Sequence, residues 1–599
     1  MANYGASVRR AAARGGSTLT DIDIYKIFLL CKTERGIVNA DGIPFVHDEI
    51  YSMDDFYKKC GGFNSSYYGS YIAQSFYDEL DNNINCEMKV ISPVDAAAVQ
   101  ATYVILDQAG SPVKIFDIKA GRLGLNDKSA FGNKIGIKIT HTSEITMKLT
   151  TDITVDLTFA ILDSVDNLEV GNYIEIADGT HTEVRKILTL NKTTKTVTFA
   201  VLIYDYTVSL TTISRLDWKL EIAVKDSLGD YQKVETWEGA LAQSNTIGLA
   251  SEINDVESGS DYVILAVNAS NTSDAENQRP AELSTWTAFT SGADGSAASD
   301  STWDTMADTY VTSQDFTFLL APESYSIAHN TNMLEFATDG YKGMYYAQAA
   351  NGANEATLKN FGASLRGGIK FGMIPSDKWI KVTDPTTSGK TKDIPMTGIA
   401  AAFWFNTYTR FGEAKVAAGN KSEMVLKSSG KLLDSNGLVH DDADGVGGRL
   451  IKNYSVNISR FTRGKGITIN SARTFSTDDG YKYQNQVMQW LLYSRSIVAY
   501  LRLIEQDPSG FKAQESHRNV VYAYMKKKYN AGYFFQGTKE DGSLTEFKDV
   551  VIIINDFTIN TLARINEGEE EIFLQFTSVP PIEVPILSLA SAAITRVTS

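Results

Sequence analysis

Between Ile467 and Ile504 the apolar residues change their period. Ile467 and Ile469 alternate with Thr468 and Asn470, the repeat of a strand with one wet face. From about Asp478 onward, Val487, Trp490, Leu491, Ile497, Val498, Leu501 and Ile504 fall three and four apart, in a stripe broken only by Ser494. That spacing predicts a long helix with one apolar face. Asp507-Pro508-Ser509-Gly510 ends it, since proline cannot continue the helical hydrogen-bond ladder. A second amphipathic helix is expected over residues 517–529, with Lys526-Lys527-Lys528 at its end, where cations suit the helix dipole. Residues 550–559 and 570–579 are β-prone around Asn566-Glu567-Gly568. Pro580, Pro581 and Pro585 then forbid a helix and leave an extended tail over 586–599.

At 599 residues the chain exceeds what one core can hold, so several domains are expected. Its 43% hydrophobic and 21% charged residues are those of globular protein. No apolar run approaches the roughly 20 residues of a membrane span. The longest candidate, residues 22–31, is interrupted by Asp23 and Lys26, so a soluble chain without membrane insertion is expected. A formal net charge of −16 argues against nucleic acid as a direct partner, because phosphate binding needs a basic surface. Cys31, Cys60 and Cys86 are far apart and lack a CxxC pair, which favours buried free thiols over a disulfide or metal framework. Arg9, Arg10 and Arg14 stand among small residues, and no apolar h-region follows them. A flexible basic arm is expected there, not an export signal.

Further along, residues 22–31 read as a strand, Thr33-Glu34-Arg35-Gly36 as a polar turn, and Met53-Asp54-Asp55-Phe56 as the start of a helix that Gly61-Gly62 ends. Residues 69–80 form a helix with Ile72, Phe76 and Leu80 on one face, and 86–91 and 103–106 look like strands. Over 141–267 the character changes. Ile145, Met147 and Leu149, then Ile153, Val155, Leu157, Phe159 and Ile161, alternate mostly with polar residues, and Asp178-Gly179 and Asn191-Lys192-Thr193-Thr194 supply turns. This predicts an inserted all-β module, a small barrel or sandwich. Residues 268–304 are a Ser/Asn/Asp/Gly-rich seam. Phe316-Thr317-Phe318-Leu319-Leu320-Ala321-Pro322 reads as a buried strand, followed by a helix near 354–365 and a strand near 369–373.

The motifs that carry chemistry fail one by one. Asp384-Pro385-Thr386-Thr387-Ser388-Gly389-Lys390-Thr391 resembles the end of a P-loop, but Asp384 would repel phosphate, and Pro395 and Gly398 argue against a following helix. In His440-Asp441-Asp442-Ala443-Asp444-Gly445 a calcium loop would have His440 first and Ile451 twelfth, so two ligands fail. His47, His141, His181, His329, His440 and His517 form no pair at ligand spacing. No GxSxG elbow exists, and Asp54-Asp55 and Glu569-Glu570-Glu571 read as turn or strand-edge charges. No catalytic residue, metal or cofactor is expected, and the chain is not read as an enzyme.

The order of the pieces over 391–507 resembles contractile tail sheath proteins of bacteriophages and related injection systems. The succession is Ile394-Pro395-Met396-Thr397-Gly398, the turn Ala417-Ala418-Gly419-Asn420, Asn457-Ile458-Ser459, Gly464-Lys465-Gly466-Ile467, Arg473-Thr474 and the long helix. The family's turn normally carries a proline that is missing here, and its Pro-Gly-Val opening is absent. Phe76-Tyr77, Gly132-Asn133 before the strand Ile135-Gly136-Ile137-Lys138-Ile139, and Gly292-Ala293-Asp294-Gly295 resemble further family motifs.

The resemblance implies an α+β multidomain fold: a central α/β domain and a C-terminal α+β sheath core, with the inserted all-β module and extended N- and C-terminal arms. The divisions expected are 1–20 (flexible arm), 21–140 (N-terminal α/β part), 141–267 (outer β module), 268–446 (central, subtilisin-like but non-catalytic), 447–585 (C-terminal core) and 586–599 (linking arm). It implies a subunit that polymerises with itself as stacked hexameric rings around an inner tail tube, in contact with baseplate and tail terminator proteins. The particle is expected to be a virion tail assembled in the host cytoplasm. Linking residues would be Ile22, Ile24, Ile594 and Val597, received on Ile552, Ile554, Ile572 and Leu574. Arg518, Lys526, Lys527 and Lys528 are the tube-facing candidates. A non-contractile shell or surface-binding protein is the alternative, and a carbohydrate-active enzyme a weaker one.

Overall fold

The computed structural model describes residues 19–107, 112, 114–226, 228–240, 250–267, 280–339, 342–419, 431–432, 446–462, 466–503, 511–539, 541–556, 558–561, 564 and 570–581. Ile594 and Val597, the 440–445 loop, the 507–510 stop, Asn420, Gly464-Lys465 and the 566–568 turn lie outside these residues.

A six-stranded sheet organises the chain, in the order Gly372–Met373, Met344–Tyr346, Phe318–Leu320, Lys26–Leu30, Glu87–Ile91 and His47–Ile50. All neighbours are parallel except the last pair. Ile27, Phe28, Leu29 and Leu30 are fully buried, as a continuous apolar run must be when both sheet faces are covered. Ile27, Leu29, Phe318 and Leu320 enter one core, while Phe28, Leu30 and Leu319 enter the other. The helices Met53–Cys60, Gly69–Glu79, Thr397–Phe411 and Gln484–Leu503 supply the first core. Asp300–Tyr310, Ile327–Thr338 and Glu355–Leu365 supply the second, and Ser299, Ser326 and Asn354 cap their N-termini by accepting backbone hydrogen bonds. The strands from 26–91 and from 318–373 thus share one sheet, with the β region threaded between them in sequence. Among the described residues no helix is long and apolar enough to cross a membrane.

The β region is larger than the alternation in the sequence suggests. Its longest strands, Ile135–Lys148 and Thr212–Lys225, pair antiparallel, and the first runs through position 141 without a break. Leu283–Ala288 pairs with Ile135–Lys148, and Val263–Val267 with Lys114–Arg122. The expected alternation through Ile153, Val155 and Leu157 is not one strand. Only Phe159–Ile161 is, because Asp152 and Asp205 bind the backbone N–H groups of Val208 and Val155 and close that stretch into turns.

Two other expectations change. Thr33-Glu34-Arg35-Gly36 is buried, not a wet turn. Arg35 Nε lies 2.9 Å from Asp127, both side chains have no exposure, and the remaining guanidinium donors bind Lys58 O and Gly121 O. The turn therefore staples the β region to the central sheet. Pro395 and Gly398 also do not prevent a helix, since Thr397–Phe411 starts two residues after Pro395 and includes Gly398 as its second residue. Pro395 stands before the first turn, where a missing N–H is harmless. Gly398 lets this helix approach Gly69–Glu79, as a Cβ there would stand 2.7 Å from Ile72 O. Gly398→Ala is expected to lower stability by about 1–3 kcal/mol in urea unfolding, against the gain of about 1 kcal/mol from helix propensity alone. Unfolding at higher urea would show that the two helices do not need that closeness.

Candidate assembly surface

The C-terminal helices carry an open-edged hairpin. Val551–Ile554 and Phe573–Phe576 pair antiparallel, with Val551 opposite Phe576 and Ile554 opposite Phe573. Ile553, Leu574 and Phe576 pack towards the first core, while Ile552 and Phe573 are 44% and 41% exposed. The sheet thus has one apolar face towards solvent. The N–H of Thr577 donates to Val550 O at 2.9 Å. Alternation along an antiparallel ladder then turns the N–H and C=O groups of Leu574 and Phe576 to the outer edge of their strand, whereas on the other strand the Val551 N–H is taken by Phe547 O. Among the described residues the sheet has no third strand. A groove of about 420 Å³ separates Leu574, Phe576 and Ser578 from Asp479, Tyr481 and Trp490. Of the expected receiving residues, Ile552, Ile554 and Leu574 lie in the strands and Ile572 one residue before the second strand.

Both ends of the described chain leave from this body. Asn485 Nδ2 donates to Val579 O at 2.8 Å, fixing the start of the tail beside the long helix. At the other end Ile22 N–H donates to Ser496 Oγ at 3.2 Å, Ile24 is 5% exposed, and Asp21 accepts from Tyr524 Oη at 2.6 Å. Ile22 and Ile24 are therefore packed on their own body, next to the long helix.

Lys528 anchors this packing. It projects from the helix Phe511–Asn530 into the interior, with a side chain 7% exposed, 2.8 Å from Asp21 and 2.9 Å from Glu413. Tyr493, Tyr524 and Tyr533 surround the ammonium at 5.5, 5.4 and 5.8 Å from their ring centroids. Burial opposes its charge, but Glu413 and Asp21 outweigh burial and hold its pKa above the ordinary lysine value. Lys528 is thus withdrawn from the tube-facing set. A three-lysine run at a helix end reads as one solvated patch, yet successive helix positions point about 100° apart, so one of three turns inward. Lys526 lies over the rings of Tyr529 and Phe547, Arg518 is half-buried and Lys527 is exposed.

The titratable groups elsewhere hold structure together. His517 Nδ1 lies 3.0 Å from Glu570, which also accepts from Asn555, so the segment after the hairpin's first strand is tied to the helix. His329 and Asp304 meet at 3.0 Å between two helices, and among the described residues no serine hydroxyl bonds that ring. The 384–390 segment is a hairpin turn in which Asp384 accepts from Tyr71 and Thr386. Cys31, Cys60 and Cys86 are free and buried, and burial pushes the Cys60 thiol up to about 12. Among the described residues no group of three His, Cys, Asp or Glu is placed to hold a metal.

No family model matches the chain, and no curated protein does. Solved structures similar to it include the contracted sheath complex of an extracellular contractile injection system, PVC, with TM-score 0.40 and 18% identity over 48% of this chain and 75% of that one. The contracted helical sheath of the anti-feeding prophage gives TM-score 0.39 and 16% identity over 50% and 77%. The sixfold-symmetrised baseplate of that prophage gives TM-score 0.39 and 17% identity over 50% and 76%.

Proposed function

We propose that the chain is a structural subunit of a contractile sheath. It polymerises as stacked hexameric rings around an inner tube and shortens to drive the tube through a cell envelope. The observation that carries this reading is the hairpin whose Phe573–Phe576 strand presents an edge to a groove, set on the body from which both ends of the described chain depart. A strand arriving at the Leu574–Phe576 edge would meet N–H and C=O groups that no other strand among the described residues pairs, so main-chain hydrogen bonds can join subunits while the linking backbone stays flexible. The arms would be residues 1–18 and 586–599, the latter through Ile594 and Val597, and the order of motifs over 391–507 supports the same assignment. Arg518, Lys526 and Lys527 remain for the tube, and the β region would face outward. Baseplate and terminator proteins would bound the assembly, in a tail built in the host cytoplasm.

Contraction is then a rigid-body change between two packings of the same surfaces. A few hundred Å² more buried per subunit, at roughly 25 cal/mol/Å², yields on the order of 5–10 kcal/mol before ordering costs. Repeated along a sheath, even a small remainder performs work without nucleotide, provided a kinetic barrier traps the extended form.

The test separates edge pairing from packing. Leu574→Ala and Leu574→Pro lose the same side chain, but only proline removes the outward donor. Leu574→Ala is expected to assemble and Leu574→Pro to stay monomeric by negative-stain microscopy, with monomer stabilities within about 1 kcal/mol of each other. Tubes formed by the proline variant would refute edge pairing, and polymers that never shorten and widen would leave a shell.

A further inference from the structure

We propose that the outer face of Gln484–Leu503 floors a docking groove for an extended, carboxylate-bearing segment of a partner protein. This does not rest on the sheath reading. A groove of about 500 Å³ lies between that helix face, residues 312–317 and the strand that enters the central sheet at Lys26. Its floor is apolar, made by Trp490, Ala499 and Val498, the last 45% exposed. Its walls carry Arg495, Arg502, Lys26 and Lys342 against only Asp23 and Asp315.

A gathering of four cations is unusual in a chain of net charge −16. Among the described residues none of the four forms an ion pair, whereas buried cations elsewhere such as Arg35, Arg185 and Lys528 do. Arg495 is the most telling. It is partly buried, burial disfavours its charge, and Asp315 only partly offsets this. A guanidinium with only Asp315 acting on it, beside an apolar floor, can take a further carboxylate from outside. The shape selects a polypeptide over a small anion. From Trp490 to Arg502 the floor runs about 18 Å, the length of five or six extended residues. Arg495 and Arg502 are about 10 Å apart along the axis, too far to converge on one phosphate. An extended strand alternates its faces, so apolar side chains can meet the floor while carboxylates meet the walls.

The experiment uses the full chain and a fluorescein-labelled octapeptide of alternating leucine and glutamate, read by fluorescence anisotropy. Saturable binding is expected, at least tenfold weaker in Arg495→Gln/Arg502→Glu and in Arg502→Glu alone by several fold, with thermal unfolding of both variants within a few degrees of the parent. A leucine–lysine octapeptide is expected not to bind. Absence of saturable binding, equal binding by the double variant, or displacement by inorganic phosphate alone would overturn the proposal. A photo-crosslinker at Val498 that joins two copies of the chain without peptide would overturn it as well, in favour of self-contact.

Discussion

Lys528→Met is expected to lower stability by about 3–5 kcal/mol, the penalty of leaving a buried charge without its partner. The effect resides mainly in Glu413, whose side chain is 3% exposed and whose remaining partner would be Tyr493 Oη at 3.0 Å. Asp21 is 39% exposed and contributes less, because water screens it. Lys527→Met, one position away and exposed, is expected to change stability by no more than about 0.5 kcal/mol. The double variant Lys528→Met/Glu413→Gln should recover part of the loss, since the orphaned carboxylate is then neutral. Urea unfolding of all three, followed by tryptophan fluorescence, checks this. Equal midpoints for the two lysine variants would show that the ammonium is solvated after all. The same comparison bears on assembly: reversing all three lysines together would unseat the segment around Asp21, so a failure to assemble could not be assigned to a tube contact. Lys527→Glu alone tests that contact.

What the sequence discloses follows from where periodicity is enforced. Residues 27–30 and 318–320 are buried on both faces, so their apolar runs are unbroken and legible. The helix at Gly69–Glu79 and the paired β-prone segments near the C-terminus were legible for the same kind of reason. The long helix was legible in kind but not in detail. It starts at Gln484, because Asp478 accepts from Gly480 N–H and holds the approach in a turn. Its inward face includes Asn485, Gln489 and Ser496, which bond Val579 O, Tyr533 O and the Ile22 N–H. Val498, an apolar member of the stripe, faces the groove instead. Polar residues that are satisfied by backbone groups distant in sequence leave no local signal, and an apolar residue reserved for a partner looks like core. The anchor at Lys528 was hidden for the first reason: its two carboxylates lie 507 and 115 positions away in the chain.

Arg35→Met should destabilise the chain by a similar amount, about 3–5 kcal/mol, but in a different place. The substitution leaves Asp127 with no exposure and only Gly36 N–H and Ser129 Oγ to bind it, at 2.9 and 2.6 Å. It also frees Lys58 O, which is part-buried, and the buried Gly121 O, on opposite sides of the junction between the central sheet and the β region. Because the guanidinium touches both sides, its loss should loosen the attachment before either core melts. Phe131 and Tyr262, at 5.2 and 5.6 Å from the guanidinium, lie on the β side of that seam. The β region has cores of its own, so it can remain folded when detached. Limited proteolysis is therefore expected to cut Arg35→Met near residue 95 or 295, where the chain crosses between the central sheet and the β region, and to release a β fragment that the parent protein does not yield. Arg35→Lys should behave nearly as badly, because one ammonium cannot reach the carboxylate and both carbonyls in the fixed fork geometry that arginine uses. A proteolytic pattern unchanged from the parent, with unfolding within about 1 kcal/mol of it, would mean that the seam is held by its apolar contacts and that Arg35 only fills space there.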